Sequence, residues 1–323
     1  MLFITNRVFE EGPTTDPGRK VTFDVSDGNA LQSVFFCERL EDQTNIELGS
    51  VEFLNRLRAS DADQILLYIH GFNNHPDHDI FPRAQALGAL FSQANLNIEV
   101  VPVIWPCNNS EKVVTEYFDD QVSADASSTA FSRALSKFLA WQASNPNVTD
   151  PCLKRINILA HSMGNRVLRG ALNDWSRALS GQIPFIFRNI FMAAADVVNE
   201  TLECDQDGLF ICQSSRNVVV YFASDDLALR SSKIANIKNA IASRRLGHTG
   251  PEDLGGTPKN VYAVDCDDFN TDYDRPVGHT YFLYDSQNTA GAVFRHIAQC
   301  LKTGRVPVSD DNRTLILTDG WPG

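Results

Sequence analysis

The sequence predicts an α/β fold in which helices cover both faces of a mostly parallel central sheet, and three observations carry that prediction. Apolar runs of strand length alternate with segments of helical apolar spacing along most of the chain. One run, Ile156 to Ala160, passes into helical spacing at Val167, Leu168, Ala171, Leu172 and Trp175 with a very tight turn at His161-Ser162-Met163-Gly164. The composition, 43% hydrophobic with 20 Phe and 21% charged over 323 residues, is that of an ordinary globular protein able to bury a large core. A single domain over residues 1–323 is expected.

Taken in order, strands are expected around Leu2–Val8, Val21–Val25 and Leu31–Glu38, separated by the turn signals GPTTDPG and SDG. Strands met in succession like these predict an antiparallel edge on the parallel sheet. Gln64–Ile69 is an apolar strand that runs into His70-Gly71-Phe72-Asn73-Asn74-His75-Pro76, and a helix follows with Phe81, Ala84 and Leu87 on its apolar face. Asn97–Trp105 is the next strand, followed by a long loop over 107–125 and a helix from near Ala126 to Ala143. After the tight turn and its helix, Ile183–Ala195 reads as a strand ending at Asp196, and Asn217–Ala223 as one ending at Ser224-Asp225-Asp226. The connection between these two is too short for a large lid domain, which predicts an open cleft. A helix over Leu227–Leu246, a Gly- and Pro-rich loop, a strand at Val261–Val264, an acidic loop leading to His279 and a helix over Thr289–Leu301 complete the pattern. Thr314–Leu317 has strand character but no assigned place.

Several function classes are disfavoured. The net charge of −12 opposes nucleic acid or an anionic membrane as partner, because a phosphate binder needs a basic face. No apolar run approaches the roughly 18 residues that a membrane span needs. The start, MLFITNRVF, reads as a strand rather than a signal peptide, so a cytoplasmic protein is expected. The seven Cys form no C-x-x-C pair, and an odd count opposes a complete disulfide framework, although Cys204 and Cys212 could close a loop in an exported protein. His70, His75, Asp77, His78 and Asp79 are crowded, but their spacing matches no zinc pattern. Asp268, Asn270, Asp272 and Asp274 alternate as calcium ligands would, yet Tyr273 stands where an EF-hand loop needs Gly. No cofactor and no metal are therefore expected, and the partner is a neutral small molecule. Nothing in the sequence selects an oligomeric state.

The chemistry centres on Ser162. A strand that turns this sharply into a helix pushes its apex residue toward unfavourable backbone angles and needs small neighbours, here Ala160 and Gly164. The hydroxyl then stands clear of the sheet above a helix N-terminus whose free N–H groups can meet developing negative charge. A serine hydroxyl is a poor nucleophile at neutral pH, so it requires a base and an acid that orients the base. Among seven histidines, His279 follows the last strand and precedes the last helix, and His248, in the Gly-rich loop, is its competitor.

The segments LLYIHGFNN, ILAHSMGNRVL, YFASDDLALRSS and GHTYF, spanning Gln64 to Phe282, resemble an uncharacterised, largely bacterial branch of the α/β-hydrolase superfamily. Its usual G-x-S-x-G elbow is altered here to Ala160 at the first small position. The resemblance implies an α/β-hydrolase fold and a triad in the chain order Ser, acid, His. Ser162 would be the nucleophile, His279 the base and Asp226 the acid, with Asp196 and Asp225 as alternatives. In the first case Asp225 would cap the following helix. The loop after His70-Gly71 resembles an oxyanion loop, which implies Phe72 and Met163 as backbone N–H donors. The implied activity is that of a serine esterase acting on neutral, short- to medium-chain acyl esters. Amidases, peptidases, thioesterases and non-catalytic binding proteins share these features.

Overall fold

The computed structural model describes residues 1–107, 113–144, 154–230, 244–309 and 312–322. Its strands are β1 (Leu2–Thr5), β2 (Lys20–Val21), β3 (Phe35–Arg39), β4 (Asn45–Glu47), β5 (Gln64–Ile69), β6 (Ile98–Ile104), β7 (Arg155–His161), β8 (Phe187–Ala193), β9 (Ser215–Phe222), β10 (Val261–Asp265) and β11 (Thr314–Ile316). They form one sheet in the order β11-β10-β9-β8-β7-β5-β6-β1-β3-β4-β2. From β11 to β1 every neighbouring pair is parallel, and β3, β4 and β2 complete the sheet in antiparallel fashion.

The helices are α1 (Ser50–Ala59), α2 (Phe81–Gln93), α3 (Val113–Ser144), α4 (Gly164–Ala178), α5 (Leu209–Gln213), α6 (Leu246–Thr249), α7 (Asn270–Tyr273) and α8 (Ala292–Thr303). Alternation along the strands divides the core in two. Ile65 and Ile69 of β5 face the layer of α1, α3, α4 and α5, whereas Leu66 and Tyr68 face α2 and α8. Because both faces are covered, the central strands read as nearly continuous apolar runs. The α4 stripe of Val167, Leu168, Leu172 and Trp175 is buried against the sheet, and each large apolar side chain so buried contributes about 2–3 kcal/mol. The chain thus has the expected α/β-hydrolase architecture, with no large lid among the described residues. No described helix is long and apolar enough to cross a membrane.

Several elements differ from expectation. Helix α3 begins at Val113, inside the segment expected as a loop; no Gly or Pro interrupts the sequence from there to Ser144. Strand β4 and helix α1 were not anticipated, although Phe53, Leu54 and Leu57 give α1 a buried face of helical spacing. Strand β1 stops at Thr5, and Asn6 and Arg7 leave the sheet to bond the chain near Ser127 and Cys107. Thr314–Ile316 finds its place as the edge strand beside β10. Of the helix expected over 227–246, residues 227–230 are helical and 231–243 lie outside the described residues.

Helix α6 packs against the backbone that follows β8. Gly247 N–H donates to Ala195 O at 2.9 Å and its carbonyl accepts from Ala223 N at 3.0 Å. A Cβ at position 247 would stand 2.1 Å from Ala195 N and 2.2 Å from Ala194 C, both backbone atoms. Gly247→Ala is therefore expected to lower unfolding free energy by about 3 kcal/mol, measured by urea denaturation. A loss below about 1 kcal/mol would show that this contact yields easily.

Candidate active site

At the end of β7, Ser162 adopts φ 53°, a left-handed conformation that a non-glycine residue holds only where its surroundings impose it. Those surroundings are specific. Ser162 N–H donates to Ala193 O at 3.0 Å, and Ser162 O accepts from Asp196 N at 3.1 Å, so the apex is clamped to the end of β8. Asn165 Nδ2 donates to Ala160 O at 3.0 Å and to Ser162 O at 3.1 Å, closing the turn from below. A Cβ on Gly164 would stand 2.5 Å from His70 O and 2.6 Å from Ile69 O, which is why that position must be glycine. Asn165 is not singled out in the sequence; its place three residues before Leu168 and seven before Leu172, in the apolar register of the helix, is the available signal, and the structure shows it fully buried.

The loop after β5 is anchored by His70, which is fully buried and stacked on Trp105 with ring centroids 5.0 Å apart. Trp105 N–H donates to His70 Nε2 at 3.1 Å, so the ring proton is on Nδ1, which donates to Gly71 O at 2.8 Å. Burial pushes the His70 pKa down to about 3, so the ring is a neutral strut. Gly71 lies against the elbow: a Cβ there would be 2.9 Å from Ser162 Cβ and 3.0 Å from His161 Nδ1. Asn74 Nδ2 donates to Phe72 O at 2.5 Å, Asn74 N donates to Cys107 Sγ at 3.3 Å, and Arg83 holds the Asn74 side-chain oxygen. The N–H groups of Phe72 and Met163 donate to no described group. They follow Gly71 and Ser162, whose turns are in contact.

Asp226 and His279 form a hydrogen-bonded pair, Nδ1 to Oδ2, at 2.6 Å. Asp226 is fully buried, and its other oxygen accepts from Leu229 N at 3.0 Å. The helix-capping role expected of Asp225 thus falls to Asp226, while Asp225 accepts from Asn270 Nδ2 at 2.6 Å. Asp196 is not joined to His279. It accepts from the Tyr117 hydroxyl at 2.7 Å and forms a buried ion pair with Arg245 at 3.2 Å. His248 sits on α6, and the Asp226 oxygen it competed for is taken by His279.

The acidic loop before His279 is a support for that residue. Asp274 accepts from His279 N at 2.8 Å and Thr280 N at 2.7 Å, and Asn270 Nδ2 donates to Gly278 O at 3.0 Å, where φ is 68°. The ring of His279 is packed 4.8 Å from that of His161, whose Nε2 donates to His279 O at 3.2 Å. Burial, then the neighbouring His279, hold His161 well below the ordinary histidine value. Ser162 Oγ makes no hydrogen bond to a described residue; such contacts commonly tighten only when substrate arrives. His75 and His78 stack on each other at 4.5 Å, and no group of three or more His, Cys, Asp or Glu among the described residues could hold a metal.

The chain belongs to the family described as alpha/beta hydrolase of unknown function (DUF900), whose model matches residues 49–294. The solved structures it is similar to include a lipase-esterase related protein from Clostridium acetobutylicum ATCC 824. Identity is 15%, over 63% of this chain and 74% of that one, at a TM-score of 0.24. No curated protein matches.

The environment of His279 sets a pH dependence. Burial by itself lowers its pKa, but the charge and hydrogen bond of Asp226, with Asp196 and Asp274 beyond, outweigh this and raise it above the ordinary 6.5. A raised folded-state value stabilises the protein fully below the unfolded value, and the gain is lost as pH rises through the folded one. His279→Gln should therefore be less stable than the wild type below pH 6.5, by a margin that shrinks on the alkaline side. NMR titration should put the wild-type midpoint above 6.5 and that of Asp226→Asn lower; equal midpoints would rule out Asp226 as the cause.

Proposed function

We propose that this alpha/beta-hydrolase family member is a serine esterase that hydrolyses neutral, short- to medium-chain acyl esters through an acyl-enzyme on Ser162. The observation that carries the reading is the 2.6 Å Asp226–His279 pair, packed on His161 beside a serine held in a left-handed elbow. In this scheme His279 Nε2 takes the Ser162 proton as Oγ attacks the ester carbonyl. Asp226 keeps the other proton on Nδ1 and stabilises the imidazolium that forms. The oxyanion rests on the N–H groups of Phe72 and Met163. His279 then protonates the leaving alcohol, and water attacks the acyl-enzyme by the same route. His161 is unsuited to the base role, because its Nε2 is committed to the His279 carbonyl and burial keeps it neutral.

The choice of ester follows from the surroundings. A net charge of −12 repels anionic substrates, and the absence of a large lid among the described residues fits an open cleft for modest molecules. A single domain over residues 1–323 would carry the whole activity. The six described cysteines are free thiols, Cys204 and Cys212 among them, which fits a reducing cytoplasm.

Hydrolysis of p-nitrophenyl esters from acetate to palmitate, with fluorophosphonate labelling alongside, tests the reading. Turnover should peak at acyl chains of eight carbons or fewer. Ser162→Ala should lose both label and at least about 10³-fold of kcat, and Asp226→Asn about 10⁴-fold. Labelling without ester turnover would move the substrate to amides, thioesters or peptides. A folded protein that neither labels nor turns over would be a binding protein.

A further inference from the structure

Tyr117 lies on α3, forty-five residues before the nucleophile, yet it joins both halves of the candidate oxyanion site. Its ring packs edge-on against Phe72, with centroids 6.0 Å apart and planes at 67°. Its hydroxyl donates to Asp196 Oδ2 at 2.7 Å. Asp196 in turn donates its backbone N–H to Ser162 O at 3.1 Å. One buried side chain therefore touches the loop that carries the Phe72 N–H and, through a single residue, Asp196, the elbow that carries the Met163 N–H.

The Asp196 carboxylate is itself immobilised. Its second oxygen pairs with Arg245 Nε at 3.2 Å, and Arg245, Leu246 and Gly247 are tied by backbone bonds and a β-bridge to the segment 195–198. Both charges are almost fully buried, so their geometry is costly to alter. Tyr117 is thereby braced at its hydroxyl end and presses Phe72 with its ring. Phe72 is also held by its carbonyl, through Asn74, and its partly buried ring packs against the apolar core.

Resting on the serine-hydrolase reading above, we propose that Tyr117 is a positioning residue, which through Asp196 sets the separation of the Phe72 and Met163 N–H groups and so the binding of the oxyanion. Removing one oxyanion donor costs about 10²–10³ in kcat; a donor displaced but not deleted loses less. Tyr117→Phe, which keeps the ring but removes its brace on Asp196, is expected to lower kcat about tenfold with KM within about twofold. Phe72→Leu, which keeps the N–H and removes the ring contact, should do the same. The double variant should lose little more than either alone, since both break one linkage.

The experiment measures kcat and KM on p-nitrophenyl butyrate, the inhibition constant of butyl boronic acid, which becomes tetrahedral on the serine, and the thermal midpoint of each variant. Boronate affinity falling in step with kcat in folded variants is the supporting result. Full kcat and boronate affinity in both folded variants, or a loss confined to KM or to the thermal midpoint, would overturn the proposal. If Tyr117→Phe does not fold, Phe72→Leu decides by the same criteria. A wild type that reacts with boronate and fluorophosphonate but not with the ester leaves the boronate comparison to decide, and only the ester assignment fails. If the wild type reacts with none of them, the serine-hydrolase reading fails and this inference with it.

Discussion

Two turns in contact support the whole site: His70–Gly71 after β5 and Ser162–Gly164 after β7. The strands beneath them are direct neighbours, with Ile69 opposite Ala160 in parallel register. Any side chain at position 71 would strike the Ser162 side chain, and any at 164 would strike the carbonyls of residues 69 and 70. Glycine at both positions lets two βα turns approach until their backbone N–H groups can serve one small volume. The left-handed backbone of Ser162 is one consequence of this crowding, and a conformation of that kind costs about 1–3 kcal/mol unless its neighbours enforce it. Hydrogen bonds from Asn165 and Asp196, together with the bond from Ser162 to Ala193, do the enforcing.

A different principle governs the other half of the site. Asp226 and His279 come from separate loops, and a carboxylate with no exposure is tolerable only if its oxygens are satisfied. Asp226 meets that condition with one oxygen on His279 and the other on the first turn of the helix that follows it. His279 is fixed at its backbone as well as its ring. Asp274 takes two consecutive N–H groups, and Asn270 links Gly278 to Asp225, so the acidic loop is knitted back to the strand end that bears Asp226. Of the alternating acids that could suggest cation ligands, Asp274 and Asp268 accept from backbone amides and Asp272 pairs with Arg275.

Charge around the imidazole is also arranged in layers. Asp226 is in contact, Asp274 is bonded to the backbone of the same residue, and Asp196 lies across the elbow with its charge opposed by Arg245. All favour the protonated ring, which is the form that develops when a hydroxyl is deprotonated. The histidine next to it in space, His161, is kept neutral by burial and by the neighbouring His279, with Arg83 beyond. Two imidazoles in contact thus have opposite tendencies, set entirely by their surroundings.

What the sequence determined by itself is whatever depends on local order. The period change at 156–175, the glycine at 164 and the strand that ends at His70 are features of neighbouring residues, so the elbow, the parallel sheet and the loop after β5 could all be read from the sequence. Errors there came from boundaries, as in α3, which runs through a segment whose polar residues suggested a loop. Only the tertiary structure decided which acid meets which histidine. Asp196, Asp225 and Asp226 all lie just past strand ends, and His248 and His279 both follow strands; the bond that separates them spans 53 positions and is a matter of how the loops pack. The same holds for Tyr117, Asp274 and Asn165, whose partners lie on other elements or beneath a turn. Residue spacing encodes periodicity, which acts over a few positions, whereas contacts between distant loops depend on the packed geometry of the whole sheet.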